Sequence, residues 1–182
     1  MEALQNKGVA LLLCLLMIAG SCLLGAGTGL RQLRRQTQEG FVLGSDGSGL
    51  SLQRDLQELA SQGYNLTVIA RRYLPEQDGA VAIVARQQEV LLAATTPKEK
   101  HRAAQELTAS AKLLASTLEA MELNAEDHNL MQQVLVDIEN TQQMLAGNDY
   151  NPSAAYFNRV LSSFPANILG PVTGVRPLEL YE

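Results

Sequence analysis

The chain has two histidines, His101 and His128, and two cysteines, Cys14 and Cys22. These are the residue types that most often carry metal or nucleophilic chemistry. A zinc pair on a helix needs a second His four residues on, and neither histidine has one. A di-metal site in a bundle needs Glu-x-x-His on two helices. None of Glu106, Glu119, Glu122, Glu126, Asp137 and Glu139 has a His three residues later, and His128 would need a carboxylate where Ala125 stands. Both histidines fall near helix starts among charged neighbours, so both are read as solvated surface residues. Beyond residue 30 there is no cysteine, hence no disulfide, thiol nucleophile or Cys-based metal site in that part. The stretch Gly44-Ser45-Asp46-Gly47-Ser48-Gly49 has no Lys for a phosphate loop and one carboxylate where a Ca²⁺ loop needs several. Asn65-Leu66-Thr67 matches a glycosylation sequon but lies in a helical seam, where it is read as a chance match. Nothing matches Gly-x-Ser-x-Gly or a dinucleotide fingerprint. The expectation is a chain with no catalytic residue, no metal, no cofactor and no small-molecule substrate, and so not an enzyme.

Charge is distributed in blocks. The 182 residues carry a formal net charge of −5 and are 46% hydrophobic, with no Trp, three Phe and five Tyr. The first thirty residues hold only Glu2 and Lys7 as charges. Residues 31–112 are slightly basic, and residues 113–182 carry only Arg159 and Arg176 against nine acidic side chains. That balance argues against nucleic acid, whose phosphates need clustered Lys and Arg. The apolar content argues against disorder along the whole length.

Gly8 to Leu30 runs without a charge. As a helix it would reach roughly 34 Å, enough for a hydrocarbon core of about 30 Å. Three readings compete: an uncleaved transmembrane anchor, a cleaved secretory signal with its apolar region at Val9 to Ile18, and a lipoprotein signal ending at Cys22. The anchor is preferred, because Ala19 and Leu23-Leu24 are poor neighbours for a lipidated Cys22 and the run is long. Arg31, Arg34 and Arg35 after the run outnumber Lys7 before it, which favours a cytoplasmic body. The same arginines would meet anionic headgroups or act only as a stop-transfer flank.

The body reads as helices. Leu52, Leu56, Leu59, Gly63, Leu66, Ala70 and Tyr73 alternate in steps of four and three, an a/d seam in which Gly63 leaves room for a partner side chain. Gln77 to Ala94 forms a second helix with Val81, Val84 and Leu91 on one stripe. Thr96-Pro97-Lys98-Glu99 is a capping box with Pro at the first helical position. Behind it run Ala104, Leu107, Ala111, Leu114, Leu118 and Met121. Asn124 with Asp127 starts a fourth helix, with Met131, Val134, Ile138 and Leu145 as its stripe and Thr141 as a polar interruption. Asn151-Pro152 starts a last helix that Phe164-Pro165 ends. No window alternates as a strand does. Short links between successive helices predict an up-down antiparallel bundle.

Tyr150-Asn151, Phe157-Asn158 and Phe164-Pro165 with Asn167 are spaced by sevens. That pattern resembles the C-terminal signature of the LemA family, with Phe157 in place of a second Tyr. Asn65-Leu66 after Tyr64 is similar to that family's Pro-Asn-Leu segment. The Thr96 to Lys100 helix start and the N-terminal anchor are also similar. The resemblance implies a bacterial single-pass membrane protein with a long helical bundle and no established enzymatic activity. Tyr150, Asn151, Phe157 and Asn158 share one helix face. They would dock that helix on the bundle, the Asn amides satisfying nearby backbone groups, or else form a ligand or partner surface.

The fold expected is therefore all-α: an N-terminal transmembrane helix followed by a LemA-like bundle. Residues 1–30 are the anchor, 31–50 a basic flank and Gly-rich link, 51–165 the bundle and 166–182 an extended tail. The function expected is a membrane-bound scaffold or interaction module in the bacterial cell membrane. Its partners are the lipid bilayer and another protein or a second copy. The alternative is an envelope-side lipoprotein or secreted domain that binds an envelope component or assists a membrane enzyme.

Overall fold

The structure is a computed structural model describing residues 7–44, 51–75 and 78–182, with the side chains of residues 7, 18, 19, 22 and 23 outside the description. Among the described residues every regular element is a helix. They are α1 (Lys7–Leu43), α2 (Leu52–Ala70), α3 (Gly79–Ala93), α4 (Pro97–Glu119), α5 (Ala125–Ala146), α6 (Tyr150–Ser162) and α7 (Ala166–Thr173). The chain divides into two compact units. One joins residues 1–38 with 153–178, and the other joins 39–152 with 179–182.

The second unit holds the helical bundle. Helices α2 to α5 each start with a short polar side chain that accepts a backbone N–H of the first turn. Ser51 accepts from Arg54, Asp78 from Ala80, Thr96 from Glu99 and Asn124 from Asp127. Each cap satisfies a donor that the helix itself cannot. The Thr96 box is complete, since the Glu99 carboxylate accepts from the Thr96 N–H at 3.0 Å. That N–H, followed by the N–H and hydroxyl of Thr95, holds the Glu99 carboxyl below its usual range.

Helix α2 packs against α3, α4 and α5. Its seam Leu52, Leu56, Leu59, Leu66 and Ala70 is buried as the spacing predicts. A Cβ at Gly63 would stand 3.1 Å from Leu107 Cδ1, so the glycine gap is filled by a leucine of α4. Val81, Val84, Leu91, Ala104, Ala111, Leu114, Leu118, Met131, Ile138 and Leu145 complete the core. Val134 is half-buried, and Met121 lies past the end of α4. Thr141, the interruption in the α5 stripe, accepts a hydrogen bond from Gln62 Nε2 of α2 at 2.9 Å. Two polar groups thus sit in the seam as a matched pair.

The far end of α2 meets the start of α5. Asp127 is a buried carboxylate, 1% exposed. It pairs with Arg72 and accepts hydrogen bonds from the Tyr73 hydroxyl at 2.7 Å and from Asn124 Nδ2 at 2.8 Å. The Tyr73 hydroxyl in turn accepts from the Asn124 N–H and side-chain amide. The end of α2 and the start of α5 are therefore tied through one carboxylate.

The first unit contains most of α1 and most of α6 with α7. Gly27 lies against Thr173, where a Cβ would come within 2.8 Å of the Thr173 methyl. Gly170 lies as close to Leu161, a Cβ there meeting Leu161 Cδ1 at 2.7 Å. Arg31 Nη2 donates to Thr173 O at 2.9 Å, and Arg34 Nε to Arg176 O at 3.2 Å. The extended tail expected over 166–182 is corrected here, because its first half is α7. Pro171 falls in the second turn of a two-turn helix, where its missing N–H removes one bond rather than a ladder. Gly174 then closes the helix at φ +72°, and Val175 N donates to Gly170 O at 2.9 Å.

Among the described residues no helix is long and apolar enough to cross a membrane. The question of Cys22 as a lipidated residue lies outside the described side chains. Gly44, at φ 84°, ends α1, and residues 45–50 of the expected link lie outside the description.

Hydrogen bonds from Tyr73 and Asn124 and the charge of Arg72 hold the Asp127 carboxyl below its ordinary value of 3.8, against the effect of burial. A depressed folded pKa gives stability that is complete above that ordinary value and is lost as pH falls below it. Urea midpoints measured from pH 6 down to about pH 3 should fall, and Asp127→Asn should remove part of that fall. An unchanged pH profile in the variant would show that Asp127 carries no such linkage.

Candidate functional site

The segment after Gly174 is extended, and an extended strand beside a helix has no ladder to satisfy its peptide groups. Here two asparagines of α6 do so. In the first unit Asn158 Nδ2 donates to Leu178 O at 2.9 Å, and Leu178 N donates to Asn158 Oδ1 at 2.8 Å. In the second unit Asn151 Nδ2 donates to Tyr181 O at 2.9 Å, and Tyr181 N donates to Asn151 Oδ1 at 2.7 Å. A primary amide offers a donor and an acceptor side by side, as a strand's peptide groups do. Asn is the shortest residue that does this. Tyr150 adds a hydroxyl donated to Glu179 O at 2.7 Å.

Around Tyr181 the second unit has a cavity of about 190 Å³, lined among others by Leu59, His101, Gln105, Thr108, Gln142, Asn148 and Asn151. The His101 ring meets the Tyr181 ring edge-on, centroids 4.9 Å apart. His101 Nε2 is 3.3 Å from Gln105 Nε2. Burial, followed by the charge of Asp55, pushes the Tyr181 hydroxyl pKa up. Burial also raises the Asp55 carboxyl, against the pull of Arg54. The buried Thr108 hydroxyl has no protein partner. The lining offers amides, the hydroxyls of Thr108 and Tyr181 and an imidazole, but no carboxylate. Such a set can hold water or a small neutral polar group. Among the described residues no three His, Cys, Asp or Glu side chains are grouped to hold a metal ion.

In the same unit the Phe41 ring meets Tyr150 edge-on at 4.9 Å. Lys100 Nζ stands 5.5 Å over the Phe41 ring and donates to Gln53. Desolvation lowers the Lys100 pKa. Tyr150 is thus held by a ring on one side and by the tail's backbone at its hydroxyl.

The LemA family model matches residues 51–182. The chain belongs to the LemA family. The match runs from Ser51 to Glu182 and so takes in α2 to α7. None of the curated proteins matches the chain.

Within this LemA family chain the signature residues separate into groups. Tyr150, Asn151 and Asn158 hold the tail segment, and Phe157 is fully buried. The asparagines do satisfy backbone groups, as the spacing suggested, but those groups belong to residues 178 and 181. Phe164, Pro165 and Asn167 are exposed. Leu66 is a core residue, whereas Asn65 is exposed beside it. Of the basic flank, Arg31 and Arg34 bond to carbonyls at the end of α7 and beyond, and Arg35 is exposed. The reading of His101 as a solvated surface residue is corrected: it is half-buried against Tyr181. His128 is exposed.

Asn158→Ala would leave the Leu178 N–H and C=O without their partners, a local loss of about 1–3 kcal/mol. Hydrogen exchange at Leu178 should then speed up at least about tenfold, while Leu66 and Leu107 keep their protection. Unchanged exchange at Leu178 would contradict the clamp.

Proposed function

We propose that this protein is a membrane-anchored helical module of the LemA family that acts by binding other proteins and catalyses no reaction. The observation that carries the anchor is the uncharged run Gly8 to Leu30. Its support on α1 is that Leu11, Leu12, Leu13, Leu15, Leu16 and Met17 are all exposed. Successive residues of a helix point about 100° apart, so six near neighbours make the helix apolar on every side. A helix apolar all round is at home in a protein core or in lipid. Among the described side chains of α1, Gly27 and Leu30 are the first that are buried. The stretch from Gly8 to Ala26 would reach about 28 Å, close to the hydrocarbon thickness of a bilayer.

A cytoplasmic body is supported by Arg31, Arg34 and Arg35 against Lys7. The interaction role is supported by the chemistry of α6, whose Asn151 and Asn158 amides each hold one residue of the chain's own tail backbone, so this helix face can carry extended peptide.

Crosslinking and pull-down of the full chain from detergent-solubilised membranes should recover a discrete partner or a second copy. Recovery of the chain alone, without self-contact, would contradict the interaction role. Intact mass of the same material should show an unprocessed N-terminus. A mass ending at Cys22 with attached acyl chains would favour the lipoprotein alternative.

A further inference from the structure

From Val160 to Val175 no residue is charged, and Arg159 and Arg176 stand at the two ends of the stretch. Helix α7 lies inside it. On α7 Ile168 is 58% exposed and Val172 71%, one helical turn apart, and Phe164 just before the helix is 80% exposed. The opposite side carries Gly170, buried against Leu161, and Thr173, in contact with Gly27 of α1. On the bundle, Leu113 and Val136 are also exposed. Ile168 and Val172 lie on one short helix, with Phe164 two residues before its start.

The place of that helix selects what covers it. Gly27 and Thr173 touch, and Arg31 donates to Thr173 O. The end of α7 is therefore fixed to α1 at the point where the uncharged run gives way to the arginines. Resting on the anchor reading above, we propose that α7 lies in the membrane interface. Phe164, Ile168 and Val172 enter the boundary of headgroups and acyl chains, and Arg31, Arg34, Arg159 and Arg176 face the headgroups. A bilayer surface presents the chemistry this segment fits: an apolar layer under a polar, anionic one. A short uncharged helix with its outer face apolar and arginines at its rims is suited to lying at that boundary and too short to cross it.

The chain has no Trp, so a single introduced Trp reports its own depth. The full chain is reconstituted in vesicles of phosphatidylcholine and phosphatidylglycerol, with bromine-labelled acyl chains as quenchers. The variants are Ile168→Trp on α7, Leu15→Trp in the run and Leu113→Trp on the bundle. Ile168→Trp should show a blue-shifted spectrum and be quenched best by bromines near the headgroups. Leu15→Trp should be quenched best by bromines deep in the chains, and Leu113→Trp by neither. Quenching of Leu15→Trp without quenching of Ile168→Trp overturns the α7 placement and leaves the anchor standing. No quenching at either position overturns the anchor and, with it, the placement. A blue-shifted but unquenched Ile168→Trp means that protein covers α7, and quenching of all three means non-specific adsorption; either result overturns the proposal.

Discussion

The bundle depends on one constraint, the burial of a leucine and alanine seam by a chain that is only 4% aromatic. Small and branched side chains fill space only when helices approach closely and their knobs find holes. Helix α2 meets that demand at the centre, in contact with α3, α4 and α5. Leu66 is fully buried, and Leu107 fills the space that Gly63 leaves. Once that seam is closed, each cap and each polar pair has a fixed place to act. Gln62 reaches Thr141 across the seam, and Asp127 reaches Tyr73 and Arg72 at its end.

The second requirement is the satisfaction of backbone polar groups where no ladder exists. The segment 175–182 is extended and bonds through side-chain amides. Its apolar residues Val175, Leu178 and Tyr181 are buried, so their peptide groups need such partners. That gives the family signature a physical content. The asparagines are needed because a donor and an acceptor must be presented together. The aromatic before each asparagine is also used: Phe157 as buried volume, Tyr150 as ring and hydroxyl together.

What the sequence showed and what it hid follow from the range of each interaction. Thr96 and Glu99 are three residues apart, and Asn124 and Asp127 likewise, so these caps are legible in a short window. The seam Leu52 to Ala70 is legible because its period is the helix's own. Asn158 and Leu178 are twenty residues apart, and Asn151 and Tyr181 thirty, with α7 between them. Nothing local marks such pairs. Asp127 reads as a first-turn carboxylate, and only the return of Arg72 and Tyr73 from α2 makes it a buried one. His101 looks solvated among Lys100 and Arg102 until Tyr181 is laid against it. Helix α7 was hidden because Pro171 reads as a breaker, whereas a two-turn helix tolerates it.

On α1 Leu11, Leu12, Leu13, Leu15, Leu16 and Met17 are exposed, whereas the seam leucines of the bundle are buried. These two ways of handling apolar surface, on one chain, are what a membrane anchor with a water-exposed body requires. The most direct measurement is extraction of membranes from cells expressing the full chain with alkaline carbonate, which strips peripheral proteins and leaves spanning ones. The full chain should remain in the membrane pellet, and a full chain carrying Leu12→Arg and Leu16→Arg should be released. Release of the unaltered chain, or retention of the doubly substituted one, would contradict the anchor.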